Sequence, residues 1–235
     1  MKNQVLSPEV SIVIPAYNEE GCLGNTVTQL HNFLTQNGIH FEIIIVNDGS
    51  TDRTGEIAEN LSRELEGIRV IHHPRNLGVG YAFRTGIENA KGKFIATYPA
   101  DGQHEPPEIL RYLEAIKDAD IVCGYRYRRK DPLYRRVNAK LWNVWLKLFL
   151  GINLRDIDST KMYRSRIFEK IKIETGSAFW DAEVLVKAAK QGFRIKEIPV
   201  RHFPRSAGRQ SGNAPIVIFR AFRDFFRMYR RLKSK

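Results

Sequence analysis

Short runs of β-branched residues alternate with longer stretches of helical periodicity over the first 125 residues. The apolar runs cover residues 10–14, 41–46, 70–71, 94–98 and 121–122. Helix candidates lie between them, at about 20–36, 52–65, 79–90 and 107–117. Continuous apolar strands that alternate with helices indicate a mostly parallel sheet with helices on both faces. The sequence therefore predicts a doubly wound α/β fold.

Polar segments follow the predicted strands, at the positions where each strand ends. In a doubly wound sheet, ligands bind outside the carboxyl ends of the strands, near the point where strand order reverses. His72 and His73 are expected to be surface residues at the end of the third strand. We expect the functional site among the polar segments, which are residues 15–19, 47–52, 74–76 and 99–104.

The composition favours a folded protein that binds phosphate groups. The chain has 235 residues, of which 43% are hydrophobic, and this is enough for a sizeable core. Lys and Arg number 38 against 26 Asp and Glu, which gives a formal net charge of +12. The positive field should attract phosphates, so nucleic acid, anionic lipid and phosphorylated substrates are all candidate ligands at this point.

Three sequence features bear on cellular location. Neither cysteine, Cys22 or Cys123, stands in a CxxC pair, so a reducing cytosol is expected. Residues 1–9 lack the basic start and apolar run of a secretion signal. The longest apolar-rich stretches, 142–150 and 216–226, are shorter than the ~20 apolar residues that span a bilayer. We therefore expect no membrane-spanning segment.

Four segments together resemble a known enzyme family. They are residues 11–19, 45–52, 76–78 and 100–103, in this order and at this spacing. The second segment reads Asn-Asp-Gly-Ser-Thr-Asp from residue 47, and the fourth reads Ala-Asp-Gly-Gln. The chain thereby resembles the family 2 glycosyltransferases, and the resemblance implies their A-type glycosyltransferase fold.

Further segments resemble the polyisoprenyl-phosphate glycosyltransferases, the dolichol-phosphate mannose synthase type within that family. They are residues 124–127, 158–164, 192–200 and 208–211. The resemblance implies a single glycosyltransferase domain over residues 1–212. Its nucleotide-sugar-binding half is expected at about 10–125 and its acceptor-binding half at 126–212. Residues 213–235 are expected to form a basic amphipathic helix.

The resemblance also implies a reaction. The protein would move a sugar from a nucleotide-diphosphate sugar to a polyisoprenyl-phosphate lipid acceptor at the membrane surface. A sugar hydroxyl in a polysaccharide or glycolipid is the alternative acceptor. Net charge alone suggests a non-enzymatic nucleic-acid-binding protein, but acidic residues at the strand ends would repel a nucleic-acid backbone. We therefore expect a metal-dependent hexosyltransferase that does not bind nucleic acid.

Acidic and aromatic residues at the strand ends are the expected donor site. By the resemblance, Tyr17 would stack on or flank the nucleoside, and carboxylates would accept hydrogen bonds from the base or ribose. For Asp52, capping of the next helix is as good an interpretation as binding. For Pro15, the alternative is that it only ends the first strand. The residues assigned to the nucleotide sugar are Pro15, Tyr17, Glu19, Asp48 and Asp101.

The fourth segment departs from the family's metal-binding pattern, which is usually Asp-x-Asp-x-Gln. Pro99 stands at the first position, so Asp101 and Gln103 remain as oxygen ligands for Mg²⁺ or Mn²⁺. We expect weaker metal binding than in relatives that have both carboxylates. His104 is an alternative extra ligand that would favour Mn²⁺, and a surface position before the next helix is its other interpretation.

Arginine residues are expected to contact the phosphate groups of both substrates. Arg205, which we expect to be catalytic, and Arg209 would form a lid that stabilises the leaving diphosphate. Arg126, Arg135 and Arg136 would bind the acceptor phosphate, since a planar guanidinium binds phosphate bidentately.

Two carboxylates, Asp181 and Glu183, begin the helix predicted at 178–190, where they would also favour the positive end of the helix. A carboxylate near this position is the general base in relatives with hydroxyl acceptors, so the resemblance implies a catalytic role for Asp181. An acceptor phosphate is already ionised at neutral pH and needs no strong base. With that acceptor, Asp181 would orient the sugar or the acceptor.

The last predicted helix separates aromatic residues from basic ones on a helical projection of residues 215–235. Such a helix can lie in a membrane interface, and packing or an oligomer interface is the alternative. Residues 137–148 have similar periodicity, but a helix packed on the sheet explains them equally well. We expect a peripheral protein at the cytoplasmic face of the membrane. Its expected partners are an anionic membrane surface and an oligomeric or membrane-protein partner.

Overall fold

The computed structural model describes residues 7–127, 133–151, 153–201, 203 and 215–233. Its centre is a seven-stranded sheet with the order β3-β2-β1-β4-β6-β5-β7. The strands are β1 (Val10–Ala16), β2 (Phe41–Asn47), β3 (Ile68–His72), β4 (Phe94–Thr97), β5 (Ile121–Arg126), β6 (Lys161–Arg164) and β7 (Ile195–Val200).

Helices connect the strands and cover both faces of the sheet. The four helices expected in the first half are confirmed, and their ends agree with the expected ones within three residues. The helices are α1 (Leu23–Gln36), α2 (Thr54–Glu64), α3 (Val79–Glu88), α4 (Glu108–Ala115), α5 (Leu133–Leu150), α6 (Ile167–Lys170), α7 (Trp180–Lys190) and α8 (Pro215–Lys233).

The alternation of side chains along β1 divides the core into two layers. Val10, Ile12 and Ile14 face α1, α2 and α4, whereas Val13 faces the layer that contains α3, α5, α7 and α8. All four side chains are fully buried, as expected for a central strand with helices on both faces. The apolar run of β1 thus joins the two layers of the molecule.

Strand order reverses beside β1. The chain runs from β1 outward through β2 to β3 and then returns to β4 on the other side of β1, with all of these pairs parallel. The carboxyl ends of β1, β2 and β4 therefore surround the switch point, where an α/β sheet binds its ligand. The expected doubly wound fold is confirmed in this half.

Strand β6 was not expected from the sequence. It pairs antiparallel with both β4 and β5, so the sheet is mixed at this point. It begins and ends with a charged residue, and Met162 and Tyr163 between them are fully buried. The Arg164 guanidinium donates to the carbonyl oxygens of Ala119 and Ile116, each at 2.8 Å. These backbone partners let a charged residue end a buried strand.

Candidate active site

The loops after β1 and β2 are joined by reciprocal hydrogen bonds. The backbone N–H of Asn18 donates to Ser50 Oγ at 3.0 Å, and the backbone N–H of Thr51 donates to Asn18 Oδ1 at 2.9 Å. Asn18 has a φ of 54°, a left-handed conformation that Asn adopts more readily than most residues. The backbone N–H of Glu19 donates to Thr54 Oγ1 at 2.8 Å. Two of the four sequence motifs therefore form one surface.

Asp52 stands one residue before the N-cap of α2, which is Arg53, and its side chain binds the first residue of the helix. Its Oδ1 accepts from the backbone N–H of Thr54 at 3.0 Å, and its Oδ2 accepts from the backbone N–H of Glu20 at 3.2 Å. The side chain of Glu20 accepts in return from the backbone N–H of Arg53 at 3.1 Å. These contacts attach the β1 loop to the start of α2.

The aromatic and acidic residues of the first motif lie along this joined surface. Pro15 is the sixth residue of β1 and pairs with Val46, while its side chain is partly exposed. Tyr17 follows the strand and is 38% exposed, and Glu19 is partly buried. The exposed Tyr17 ring beside the strand end is suitably located to stack on a nucleoside. The position of Pro15 within β1 also agrees with the alternative that it has only a structural role at the end of the strand.

Asp48 joins the second motif to the third. Its side chain is almost fully buried, with Oδ1 accepting from the backbone N–H of Leu77 and Oδ2 from that of Gly78, both at 2.9 Å. The next residue, Gly49, has a φ of 67°, and a Cβ there would lie 2.2 Å from the carbonyl carbon of Arg75. Asp48 therefore holds the loop after β3 against the loop after β2.

The expected surface position of His73 is wrong. Only 8% of its side chain is exposed, and its ring bridges Asp48 Oδ1 at 2.7 Å and Thr85 Oγ1 at 2.9 Å. His72, which is 43% exposed, matches the expectation better and contacts Asn47 and Glu59. The sequence pattern does not show which of the two adjacent histidines is buried and which is exposed. Their different burial follows from the alternation of side chains at the end of β3.

The fourth motif lies at the carboxyl end of β4. Asp101 Oδ1 accepts from the backbone N–H of Gln103 at 3.0 Å, and Gly102 between them has a φ of 70°. Gln103 Nε2 donates to the backbone oxygen of Phe203 at 3.0 Å, and the backbone N–H of Phe203 donates to the backbone oxygen of Gln103 at 3.1 Å. The turn therefore fixes the chain just before residues 204–214. Arg205 and Arg209 belong to that segment and lie outside the described residues.

The metal ligands expected from the sequence fit one specific kind of metal site. Within the described part of the chain, no three His, Cys, Asp or Glu side chains form a cluster that could hold an ion. Asp101 is partly exposed, and the donation from Gln103 Nε2 directs that amide group's nitrogen toward Phe203. Mg²⁺ often takes one or two carboxylates together with substrate phosphates and water. The residues therefore fit a metal shared with a diphosphate rather than a site made of protein ligands alone.

Arg126, expected to bind the acceptor phosphate, forms a bidentate ion pair. Its Nε and its terminal nitrogen lie 2.6 and 2.7 Å from the two carboxylate oxygens of Asp156. The Arg126 side chain is 15% exposed and that of Asp156 is 6% exposed. One edge of the guanidinium is therefore already engaged. Arg135 and Arg136 fall in the first turn of α5, and their side chains lie outside the described residues.

Asp181 lies in the first turn of α7, beside a buried lysine that the sequence did not identify as a site residue. Lys161 Nζ lies 2.9 Å from Asp181 Oδ1, and the two side chains are 0% and 13% exposed. Burial raises the pKa of the Asp181 carboxyl to about 6, and the nearby Lys161 ammonium limits the rise. The burial of Lys161 could have been predicted only if β6 had been recognised as a strand, because Lys161 is followed there by the buried residues Met162 and Tyr163.

Glu183 holds the loop that precedes α7. One of its carboxylate oxygens accepts from the backbone N–H of Glu174 at 2.9 Å. The other accepts from the backbone N–H and hydroxyl of Thr175, at 3.0 and 2.6 Å. Its side chain is 2% exposed and lies 2.5 Å from Lys187 Nζ. A carboxylate with these partners serves as a support for the loop, so Asp181 is the better candidate for substrate contact.

The loop before α7 meets the third motif through glycines. The backbone N–H of Gly80 donates to the carbonyl oxygen of Gly176 at 3.1 Å. A Cβ at Gly78 would lie 2.4 Å from that same oxygen, and a Cβ at Gly80 would lie 2.3 Å from the carbonyl oxygen of Thr175. Bonded contacts thus run from Asp48 through this loop to the start of α7.

The sequence profile of glycosyl transferase family 2 matches residues 11–185, which include all four motifs and the start of α7. The chain belongs to glycosyl transferase family 2. Its mixed, mostly parallel sheet is the A-type glycosyltransferase fold that the resemblance implied, and that expectation is confirmed.

Curated relatives and solved structures resemble this glycosyltransferase over most of its length. Glycosyltransferase AglD of Haloferax volcanii is 34% identical over 84% of the chain, which spans 33% of AglD. Dodecaprenyl-phosphate galacturonate synthase of Rhizobium johnstonii is 32% identical over 87% of the chain, which spans 62% of that protein. The chain therefore spans only a part of both relatives.

A solved structure supports the fold. Glucosyl-3-phosphoglycerate synthase from Mycobacterium tuberculosis, in complex with Mn²⁺, uridine diphosphate and glucosyl-3-phosphoglycerate, has a TM-score of 0.67. The match covers 86% of this glycosyltransferase and 73% of that chain, at 16% identity. At this identity the likeness shows a shared fold.

Helices α5 and α8 of the glycosyltransferase pack together through aromatic side chains. The Trp145 ring lies 4.8 Å from that of Phe222 and 5.4 Å from that of Phe225, which is buried. The last helix is thus packed on the domain on one side. Within the described residues, no helix is both long and apolar enough to cross a bilayer.

Apolar side chains on the outer side of both helices are exposed. The Trp145 ring also contacts Phe149 and Phe226, at 5.6 and 6.2 Å, so these two exposed rings flank the helix contact. The exposed set, called the α5–α8 surface below, consists of Leu141, Val144, Leu148, Phe149, Phe219 and Phe226.

Proposed function

We propose that the protein transfers a sugar from a nucleoside-diphosphate sugar to a polyisoprenyl phosphate at a membrane surface. The observation that carries the proposal is the convergence of the four family motifs at the switch point of the sheet, where Asp48 binds the amides of Leu77 and Gly78. A relative named dodecaprenyl-phosphate galacturonate synthase supports the choice of acceptor. The Mn²⁺ and uridine diphosphate in a structure with the same fold support the choice of donor.

The donor is proposed to bind along the joined loops of β1 and β2. Tyr17 stacks on the nucleoside, Pro15 flanks it, and Glu19 accepts a hydrogen bond from it. Asp48 shapes the same site through the 77–78 backbone, which both of its oxygens bind, and it is proposed to accept a further hydrogen bond from the base or ribose. The nucleoside would therefore bind at the carboxyl ends of β1 and β2, and the diphosphate would lie near the end of β4.

Asp101 and Gln103 are proposed to hold a divalent cation together with the donor diphosphate. The bound cation would neutralise negative charge on the departing nucleoside diphosphate. Arg205 and Arg209 would supply further positive charge, because they follow in sequence on Phe203, which Gln103 holds beside the fourth motif. The nucleoside diphosphate would then leave as an anion, without being protonated.

The acceptor is proposed to bind beside α5 and α7. An oxygen of the acceptor phosphate attacks the anomeric carbon, and the bond from that carbon to the donor diphosphate breaks with its electron pair on the nucleoside diphosphate. Arg126, Arg135 and Arg136 bind the acceptor phosphate. Asp181 accepts a hydrogen bond from the sugar and orients it, and it takes up no proton because the attacking phosphate oxygen is already ionised.

The α5–α8 surface is proposed to rest on the cytoplasmic face of a membrane. Leu148 is 75% exposed and Phe219 is 64% exposed, which is unusual for large apolar side chains unless a partner covers them. Lys140, Lys147, Arg220 and other exposed cations on the same two helices would attract anionic headgroups. A lipid acceptor would then be presented directly to the acceptor half. An oligomer interface is the competing use of this surface.

Transfer to a sugar hydroxyl is a second candidate function, which the state of Asp181 favours. A carboxyl with a pKa of about 6 in the first turn of α7 could take a proton from a hydroxyl near neutral pH. The Asp181→Asn variant separates the candidates. It should retain part of the activity with a phosphate acceptor but lose nearly all of it with a hydroxyl acceptor.

One incubation series tests the proposed function. The purified protein is mixed with a panel of nucleotide sugars and polyprenyl phosphate, with Mg²⁺, with Mn²⁺ or with a chelator, and products are identified by mass spectrometry. We expect one donor to yield a glycosylated polyprenyl phosphate, and we expect the chelator and Asp101→Ala to abolish the product. Asp118→Ala, at a side chain that is 81% exposed, is the matched control. Full activity of Asp101→Ala would refute the role of that carboxylate.

A further inference from the structure

The Lys161 side chain is fully buried, yet its ammonium lies against three oxygen atoms. Its Nζ donates to the carbonyl oxygen of Ile157 at 2.5 Å and to that of Ser159 at 2.7 Å. The third contact is Asp181 Oδ1 at 2.9 Å. Two of the three N–H groups of the ammonium therefore have carbonyl partners, and its contact with Asp181 is an ion pair. A buried lysine is costly unless it is paired in this way.

These contacts connect both sides of the acceptor half. Ile157 and Ser159 belong to the segment that begins with Asp156, the bidentate partner of Arg126. Asp181 belongs to a different element, the helix α7. One side chain therefore fixes the segment behind Arg126 and the carboxylate of Asp181 at the same time.

The surroundings of Asp181 make its charge depend on Lys161. The Lys161 ammonium lowers the pKa of Asp181 and so favours its ionised form. The negative charges of Asp156 and Asp158, in the segment before β6, raise that pKa and so oppose ionisation. Cys123 of β5 and Tyr163 of β6 also face it, and burial raises the pKa of both groups, so they remain neutral near pH 7. Without the ammonium, desolvation and two carboxylates would all favour the protonated form of Asp181.

We propose that Lys161 is a positioning residue of the acceptor half, which keeps Asp181 ionised and oriented and fixes the 157–159 turn behind Arg126. This inference rests on the proposed function, because it assigns a task to groups of the same site. Lys161 itself is fully enclosed and touches no substrate. With Oδ1 in an ion pair with the ammonium, Asp181 presents its other oxygen as an acceptor for a hydroxyl of the bound sugar.

Lys161→Met tests the inference, because methionine has nearly the length of lysine but no charge. We expect kcat at pH 6.5 to fall at least tenfold while KM for the nucleotide sugar changes less than threefold. We expect activity to recover partly at higher pH, with the acidic limb of the kcat profile moved upward by at least one pH unit. Lys172→Met, at an exposed lysine, is the matched control and should behave like the wild type. An unchanged pH profile would overturn the inference.

A double-mutant cycle separates positioning from a general loss of packing. Lys161→Met and Asp181→Asn should be non-additive, so Lys161→Met should lower activity by a smaller factor in the Asp181→Asn background than in the wild type. If Lys161→Met does not fold but the double variant does, the charge pairing is supported. Additive losses, or failure of both variants to fold, would show that Lys161 serves only the stability of the domain and would overturn its positioning role.

A measurement without turnover distinguishes this inference from the proposed function. Carboxyl carbon NMR of the labelled full chain follows the titration of Asp181, with Asp181→Asn identifying its resonance. We expect the pKa of Asp181 to be higher in Lys161→Met than in the wild type, and an equal pKa would overturn the inference. Absence of transfer to any acceptor by the wild type would instead refute the proposed function alone.

Discussion

At the scale of single residues, buried carboxylates hold the loops of the site in place. Asp48 binds the amides of Leu77 and Gly78, and Glu183 binds those of Glu174 and Thr175. Each carboxylate accepts hydrogen bonds from backbone N–H groups of a loop, and these bonds are buried or partly buried. Leaving such groups unpaired costs about 1–3 kcal/mol each, so these residues affect both stability and the shape of the site.

Asp48→Asn should lower stability and donor binding together. An amide offers one oxygen and one NH₂, and the NH₂ would face the N–H of Leu77 or Gly78, or the His73 ring. We expect a loss of about 1–3 kcal/mol in the free energy of unfolding by urea titration, and at least a fivefold rise in KM for the nucleotide sugar. Asp118→Asn is the control, and a variant indistinguishable from it would contradict this account of Asp48.

Pro99→Asp should tighten metal binding. The substitution restores a second carboxylate two residues before Asp101, which is the arrangement usual in the family. We expect the Mg²⁺ or Mn²⁺ concentration for half-maximal activity to fall at least threefold. Pro107→Asp adds the same charge at an exposed proline before α4 and should leave that concentration unchanged. An equal response of the two variants would show that net charge, and not the motif position, sets metal affinity.

The pH dependence of stability should reveal the buried Asp181. Burial raises the pKa of this carboxyl from 3.8 to about 6, so between these values the folded protein holds a proton that the unfolded chain has released. Its contribution to stability is therefore fully present below about pH 4 and is lost as the pH rises toward 6, by about 3 kcal/mol. We expect Asp181→Asn to remove this fall, as measured by urea unfolding across pH 4–7. Parallel curves for the two proteins would contradict the raised pKa.

At the scale of elements, the contact between the α3 start and the loop before α7 connects the donor half to the acceptor half. Gly80 donates to the carbonyl oxygen of Gly176, and Tyr81 packs against Gly176 so closely that a Cβ there would lie 2.3 Å from the ring. Such close backbone contact is available only to glycine. The loop that leads to Asp181 is therefore positioned from the donor side.

Gly80→Ala should disturb this connection. The new Cβ would lie 2.3 Å from the carbonyl oxygen of Thr175, so the loop before α7 must shift. We expect a loss of about 1–3 kcal/mol in unfolding free energy and a lower kcat with either acceptor. Gly24→Ala is the control, because its Cβ would have ordinary contacts at 3.7 Å and alanine favours the helix α1. Equal stability of the two variants would contradict the close contact.

The α5–α8 surface should bind membranes through its exposed apolar residues. Leu148→Glu places a charge at a side chain that is 75% exposed, so the fold should tolerate the substitution. The same charge should weaken contact with the apolar part of a membrane. We expect at least a fivefold loss of protein co-floating with vesicles of anionic lipid. Leu110→Glu, at a 40% exposed leucine of α4, is the control. Unchanged flotation together with a lost dimer in light scattering would indicate an oligomer interface instead.

At the scale of the whole molecule, the donor half could be predicted from sequence more completely than the acceptor half. Strands β1 to β5 each contain a short apolar run, and one of the four motifs overlaps or follows the carboxyl end of each strand from β1 to β4. The strand order brings these ends to the switch point. Strand β6 could not be predicted, because Lys161 and Arg164 are charged, and their placement in the sheet depends on backbone carbonyls and, for Lys161, on Asp181. The partner of Arg126 and the burial of His73 also depend on long-range contacts that periodicity does not encode.

The most direct test of the proposed function compares two acceptors that differ only in the phosphate. The protein is incubated with the active nucleotide sugar and either polyprenyl phosphate or the corresponding polyprenol, and the lipid products are weighed by mass spectrometry. We predict a product with the mass of one added sugar from the phosphate and none from the alcohol. Glycosylation of the alcohol alone, or of neither lipid with any donor, would contradict the account.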